Sequence, residues 1–136
     1  MYHPGMIEPS RVFDFSSLNS ESENSAAISW TVPSDLPYFD GHFPGKPVVP
    51  GIALIDAALY AVQVKTQQKA CLMGVKSAKF GDIIKPGTTL ELRLQKKSEN
   101  EWEIQFFKSE EKTEAIVKVQ IQLRTLDSGV NREIMV

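Results

Sequence analysis

The sequence predicts an α+β domain in which one long helix lies beside an antiparallel sheet. Two observations carry that class. In the second half of the chain, "TLELRL", "EWEIQFF" and "AIVKVQIQL" put apolar residues at every other position. That is the period of strands with one dry and one wet face. Earlier, "PGIALIDAALYAVQV" is apolar at nearly every position and carries one carboxylate. A helix apolar all round must be covered all round. One sheet covers only part of it, so either the sheet curls strongly around the helix or a second subunit helps.

The elements follow in order. "RVFDF" (11–15) reads as a strand, "NSESENS" (19–25) as a polar loop, and "AAISWTV" as a strand with Ile28, Trp30 and Val32 on one face. A loop over 33–49 leads to a helix that begins near Pro50, where proline's missing N–H is harmless, and runs about four turns to the solvent-marking lysines Lys65 and Lys69. "CLMGVKSAKF" is a strand. "KPGTTL" turns into the next, with Leu90, Leu92 and Leu94 inward. Then Trp102, Ile104 and Phe106 alternate with Glu101, Glu103 and Gln105, and Val117, Val119, Ile121 and Leu123 with Lys118, Gln120 and Gln122. With no repeat and no linker, the 136 residues read as one domain with its core over about 7–124 and a polar tail over 125–136.

Composition bounds the function. At 42% apolar and 24% charged the chain is globular, and a formal net charge of −2 offers no case for nucleic acid. Charge is uneven: residues 1–45 hold one basic residue, Arg11, against six acidic ones, whereas 65–97 hold eight basic residues against Asp82 and Glu91. A local basic face is one reading; a solvated lysine-rich surface is the plainer one. The single cysteine, Cys71, sits in apolar "KACLMGV", reads as a core hydrophobe, and suits a reducing compartment. "MYHPGMIEPSRVFDF" has neither the basic start nor the apolar run of a signal peptide. The apolar stretch 48–64 is interrupted by Pro50, Gly51, Asp56 and Gln63, and reads as a buried helix rather than a membrane span.

The stretch 38–62 carries the chemistry. "GHFPGKPVVPG" packs three prolines and three glycines into eleven residues, so the loop is stiff, with little entropy to lose when a ligand binds. His42 sits on it, either bonded for structure or placed as a base. Gly51 opens the helix, whose first N–H groups lack internal partners and carry the positive end of the dipole, a place for a developing oxyanion. Asp56 is the only charge between Pro47 and Val64. A buried carboxylate finds a donor or stays protonated, so Asp56 is a structural residue or a general acid. Together the three can remove a proton beside a carbonyl, hold the enolate oxygen and protonate a departing hydroxyl. That is the equipment for eliminating water from a 3-hydroxyacyl thioester.

"FDGHFPGKPVVPGIALIDA" resembles the active-site signature of the hot-dog-fold (3R)-hydroxyacyl-[acyl-carrier-protein] dehydratases of fatty acid synthesis. "AKFGDIIKPGTTLELRL" is similar to their strand–turn–strand beside the acyl tunnel, and "TEAIVKVQIQL" to their last strand. The likeness covers about 7–123. It implies a hot-dog fold, a curved antiparallel sheet wrapped around one long central helix, in a homodimer or a trimer of dimers whose sites draw side chains from both protomers. It implies that His42 and Asp56 are catalytic, that Gly51 offers its N–H to the thioester carbonyl, and that Phe43, Pro50, Ile52, Tyr60, Phe80 and Ile84 line the substrate channel. It makes an acyl carrier protein or CoA thioester the partner, with Lys65, Lys69, Lys76, Lys79 and Lys85 as carrier-docking residues. It implies no metal and no cofactor, because phosphopantetheine arrives with the substrate, and it implies a cytoplasmic enzyme.

Two departures mark a specialised relative. The commoner members carry Glu where this chain has Asp56, and many have Gln where it has Tyr60. Gln63 lies on the Asp56 face but about 10 Å along the axis, too far to stand in. The expected activity is dehydration of a carrier-bound 3-hydroxyacyl thioester to the trans-2-enoyl thioester, in fatty acid synthesis or an aryl-polyene, polyketide or lipid-modification pathway. The alternatives are a hot-dog acyl thioesterase, an (R)-enoyl-CoA hydratase, or a non-catalytic subunit that binds acyl chains.

Overall fold

The computed structural model describes residues 13–15, 17–33 and 49–126. Their strands are β1 (Ser17–Ser22), β2 (Ser25–Thr31), β3 (Ala70–Phe80), β4 (Thr89–Ser98), β5 (Glu101–Lys108) and β6 (Val117–Thr125). Among the described residues one helix, α1 (Gly51–Thr66), stands between β2 and β3 in the chain. The strands form one antiparallel sheet in the order β1-β2-β4-β5-β6-β3.

The alternation read from the sequence sets the dry face. Ile28 and Trp30 of β2, Leu90, Leu92 and Leu94 of β4, Trp102, Ile104 and Phe106 of β5, and the four apolar residues of β6 are all buried. Helix α1 supplies the other side of this core with Ala53, Leu54, Ala57, Ala58, Ala61 and Val62. Four of those six are alanines, which let a helix and a sheet approach closely. The α+β class and the sheet-against-helix arrangement expected from the sequence are both present.

Two expectations at the start of the chain are corrected. The segment read as a polar loop is mostly strand β1, paired with β2 from Ser17↔Ser29 to Ser22↔Ser25. Each of its residues is exposed, so it has no buried face to leave a period in the sequence. Hydrogen bonding to β2 makes it a strand despite its composition. Conversely, Phe13 to Phe15 are not strand: Phe13 and Phe15 are buried side chains on irregular backbone.

The two sheet edges differ in kind. At one edge β1 is short and polar, the usual way to blunt an edge. Lys65, at the far end of α1, ties it down: its Nζ donates to Ser20 Oγ at 2.5 Å and to the Ser22 carbonyl at 2.6 Å. At the other edge β3 is the longest strand, with 11 residues and register shifts between Leu72 and Gly74 and between Val75 and Ser77. Leu72, Met73, Val75 and Phe80 are exposed along it.

Candidate active site

Helix α1 starts at Pro50 and Gly51 without a side-chain cap and without an acidic residue in its first turn. The N–H groups of Ala53 and Leu54 both turn back to the Pro50 carbonyl. Those of Gly51 and Ile52 have no backbone partner among the described residues. The first turn of a helix carries the positive end of its dipole, a place that suits negative charge.

Two contacts frame this end. The Val49 N–H donates to the Ile84 carbonyl at 2.7 Å, which fastens the β3–β4 loop to the start of the helix. The Phe80 ring covers Gly51: a Cβ there would stand 3.1 Å from Phe80 Cζ. Gly51 does not have a positive φ, so what glycine supplies here is space for the ring rather than backbone freedom. Ile52, in the first turn of the helix, and Ile83, next to Ile84 in the β3–β4 loop, are 63% and 58% exposed.

Asp56 is half-buried on α1, about a turn and a half beyond Gly51, and takes part in an interaction of its own. Its neighbour Ala57 is fully buried, so the carboxylate stands at the border of the core. His42 and Phe43 lie outside the described residues. The structure brings together Pro50, Gly51, Ile52 and Phe80, and it fastens Ile84 to Val49 beside them; Ile84 itself is 1% exposed and belongs to the core.

Tyr60, one turn beyond Asp56, packs in an aromatic cluster. Its ring centroid lies 6.0 Å from Phe13 and 5.8 Å from Phe15, and both phenylalanines also meet Trp30. Sequence reasoning did not connect Phe13 and Phe15 with this helix, because residues on irregular backbone leave no period. Gln63 is occupied as well: its Oε1 accepts the Ala70 N–H at 2.9 Å and so shapes the turn from α1 into β3.

The five lysines read as one docking face are not together. Lys65 is bound to β1 and Lys69 follows at the same end of α1, about 20 Å along the helix from Gly51. Lys76 projects beside Glu101, with Nζ 2.8 Å from Oε2. Lys79 and Lys85 flank the Phe80–Ile84 segment at the helix start. Lys108, which had no signal in the sequence, joins this group through register, because β4–β5 pairing sets it opposite Leu90. Its Nζ lies 3.2 Å from Asp82 Oδ2, and that hydrogen bond, helped by one from the Ile83 N–H, holds the Asp82 carboxyl below its usual range.

A family model described as ApeI-like, ApeI dehydratase, matches residues 18–120. The chain belongs to the ApeI-like dehydratase family. The chain is also similar to the 3-hydroxyacyl-[acyl-carrier-protein] dehydratase FabZ of Lactiplantibacillus plantarum, 36% identical over 78 residues, which are 52% of this chain and 53% of that protein. The chain spans about half the length of the curated relatives it matches. Among solved structures, the ApeI:P dehydratase heterocomplex from Xenorhabdus doucetiae superposes with a TM-score of 0.68 at 22% identity, over 78% of this chain and 92% of that one. A hypothetical thioesterase from Streptococcus pneumoniae superposes with a TM-score of 0.55 at 11% identity, over 82% and 92%. At those identities the likeness concerns the fold, and this ApeI-like chain has the hot-dog fold.

Proposed function

We propose that this ApeI-like protein removes water from carrier-bound 3-hydroxyacyl thioesters to give trans-2-enoyl thioesters. Relatives named as 3-hydroxyacyl-[acyl-carrier-protein] dehydratases support the substrate class. The observation that supports the reading best is the uncapped start of α1, with Asp56 half-buried about a turn and a half behind it.

His42 takes the C2 proton. The thioester oxygen, gaining negative charge, accepts from the Gly51 N–H at the positive end of α1. The C3–O bond then breaks as Asp56 delivers a proton to the departing hydroxyl, which leaves as water. Electrons of the C2–H bond become the C2–C3 double bond, and proton exchange with solvent restores His42 and Asp56. No redox group takes part, and phosphopantetheine enters with the substrate. The reaction suits the cytoplasm, where carrier proteins and a free cysteine coexist.

The working unit in this reading is a homodimer. An edge strand that is long and apolar is an aggregation hazard unless something covers it, and β3 is both. A second copy pairing along β3 would also cover the exposed Ile52 and Phe80 at the helix start. Sedimentation separates a dimer from a trimer of dimers. Co-purification of a hot-dog chain of different sequence would replace the homodimer with a heterocomplex.

The test is incubation of the purified protein with a 3-hydroxyacyl carrier-protein thioester, following the enoyl product by absorbance and mass. Asp56→Asn and His42→Ala should each lower the rate by about 10²–10⁴-fold. Near-normal turnover by either variant would overturn its assigned role. Free thiol released without enoyl product would favour a thioesterase.

A further inference from the structure

The β3–β4 loop and the end of β5 enclose a depression of about 340 Å³, lined by Asp82, Ile83, Lys85, Thr88 and Lys108. We infer that this depression seats the phosphate of the substrate's phosphopantetheine arm, held by Lys85, Lys108 and the Thr88 hydroxyl. The inference rests on the thioester reading above and adds to it the group by which the arm is held.

The walls are rigid. Lys85, Pro86, Gly87 and Thr88 make a turn closed by the Thr88 N–H donating to the Lys85 carbonyl at 3.2 Å. Proline at the second position and Gly87 at the third, with φ +86°, are the marks of a type II turn, which requires a residue tolerant of positive φ there. The turn is tied to the end of β2 by Gly87 N–H to Val32 carbonyl at 2.8 Å and Val32 N–H to Thr88 carbonyl at 2.9 Å. The opposite wall, Lys108, ends strand β5. Lys85 and Lys108 thus lie on backbone fixed before any ligand arrives, which reduces the ordering cost of binding.

The charge is right for an anion. Two lysines face one carboxylate, so the lining carries net positive charge. The field is felt: Lys108, and more weakly Lys85, help to hold the Asp82 carboxyl below its usual range. A phosphate entering the depression shares Lys108 with Asp82 and meets Lys85 and Thr88 besides. Exposed Ile83 supplies an apolar neighbour for the dimethyl carbon next to the phosphate in the arm. The position is also right. Ile84, between the lining residues Ile83 and Lys85, accepts the Val49 N–H, so this wall is fastened to the chain two residues before Gly51.

The test compares three thioesters of the same 3-hydroxyacyl group: on pantetheine, which has no phosphate, on 4′-phosphopantetheine, and on the carrier protein. The wild type should prefer phosphopantetheine over pantetheine by about tenfold in kcat/KM, the worth of charged hydrogen bonds at a partly exposed site. In Lys85→Ala/Lys108→Ala that preference should disappear, and in Asp82→Asn it should grow. No preference in the wild type, or a preference that survives the double substitution, overturns the inference. An effect of the double substitution confined to the carrier-bound substrate overturns it too, since the lysines would then meet acidic side chains of the carrier. If the wild type dehydrates none of the three, the proposed activity has failed. The phosphate site is then decided separately by NMR: Lys85, Thr88 and Lys108 signals should move with phosphopantetheine and not with pantetheine. Equal shifts, or none, overturn it.

Discussion

The ring of Phe80 rests on the backbone of Gly51, at the point where the last residue of β3 meets the first residue of α1. Crowding from an added methyl should cost about 1 kcal/mol, because the half-exposed ring has room to yield. Loss of glycine's flexibility returns about 0.5–1 kcal/mol. Gly51→Ala should therefore be nearly neutral alone and stabilising in a Phe80→Ala background. Urea denaturation of the double-mutant cycle measures the coupling, and strictly additive effects would show that the ring does not hold this position.

Tyr60 is expected to serve packing. Tyr60→Phe keeps every ring contact with Phe13 and Phe15 and should change stability by less than about 0.5 kcal/mol. Tyr60→Ala should cost about 2 kcal/mol, below the range for a fully buried aromatic because the ring is half-exposed. Equal losses from both variants would point instead to the hydroxyl.

Strand β1 should open first. Its residues are exposed, and beyond β2 it is held by the two bonds from Lys65. Lys65→Met should speed amide exchange in β1 by about tenfold and leave β4 and β5 unchanged. Uniform acceleration across the sheet would contradict a local clamp.

Asp82 gives a pH signature. Its folded pKa lies below the ordinary 3.8, so the stabilising pair with Lys108 is complete above that value and is lost as pH falls through the lowered one. Carboxyl NMR should show Asp82 titrating below its usual range, and Lys108→Met should bring it back up. The hydrogen bond from the Ile83 N–H, and more weakly the attraction of Lys85, should keep it from rising all the way. An unchanged titration in that variant would remove Lys108 as the cause.

The β3 edge carries the dimer prediction. Val75 is 41% exposed, so Val75→Glu removes little from the core of one chain. It should nevertheless yield a folded monomer by sedimentation, and, in the proposed dimer whose sites are completed across the pairing, dehydration should fall greatly with it. A variant dimer as tight as the wild type would exclude this edge as the interface.

Much of the molecule was legible in the residues. Period two over β4, β5 and β6 marked their dry faces, and the apolar run after Pro50 marked α1 to within a residue at its start. These are local signals, because a strand or helix with a buried face repeats its pattern within a few residues. Gly51 and Asp56 were legible for the same reason, being chemical exceptions inside that pattern. Strand β1 was not, since an edge exposed on both faces leaves no pattern and is decided by its neighbour's hydrogen bonds. Nor was the scattering of the lysines: only folding sends Lys65 to β1 and Lys76 to Glu101, and carries Lys108 to Asp82 and Lys85. The sequence by itself determined the α+β class, the extent of the long helix and the residue types at its start. The tertiary structure decided which residues stand around that start. Strand register and chain reversal set distances between residues far apart in sequence, and no short stretch carries that information.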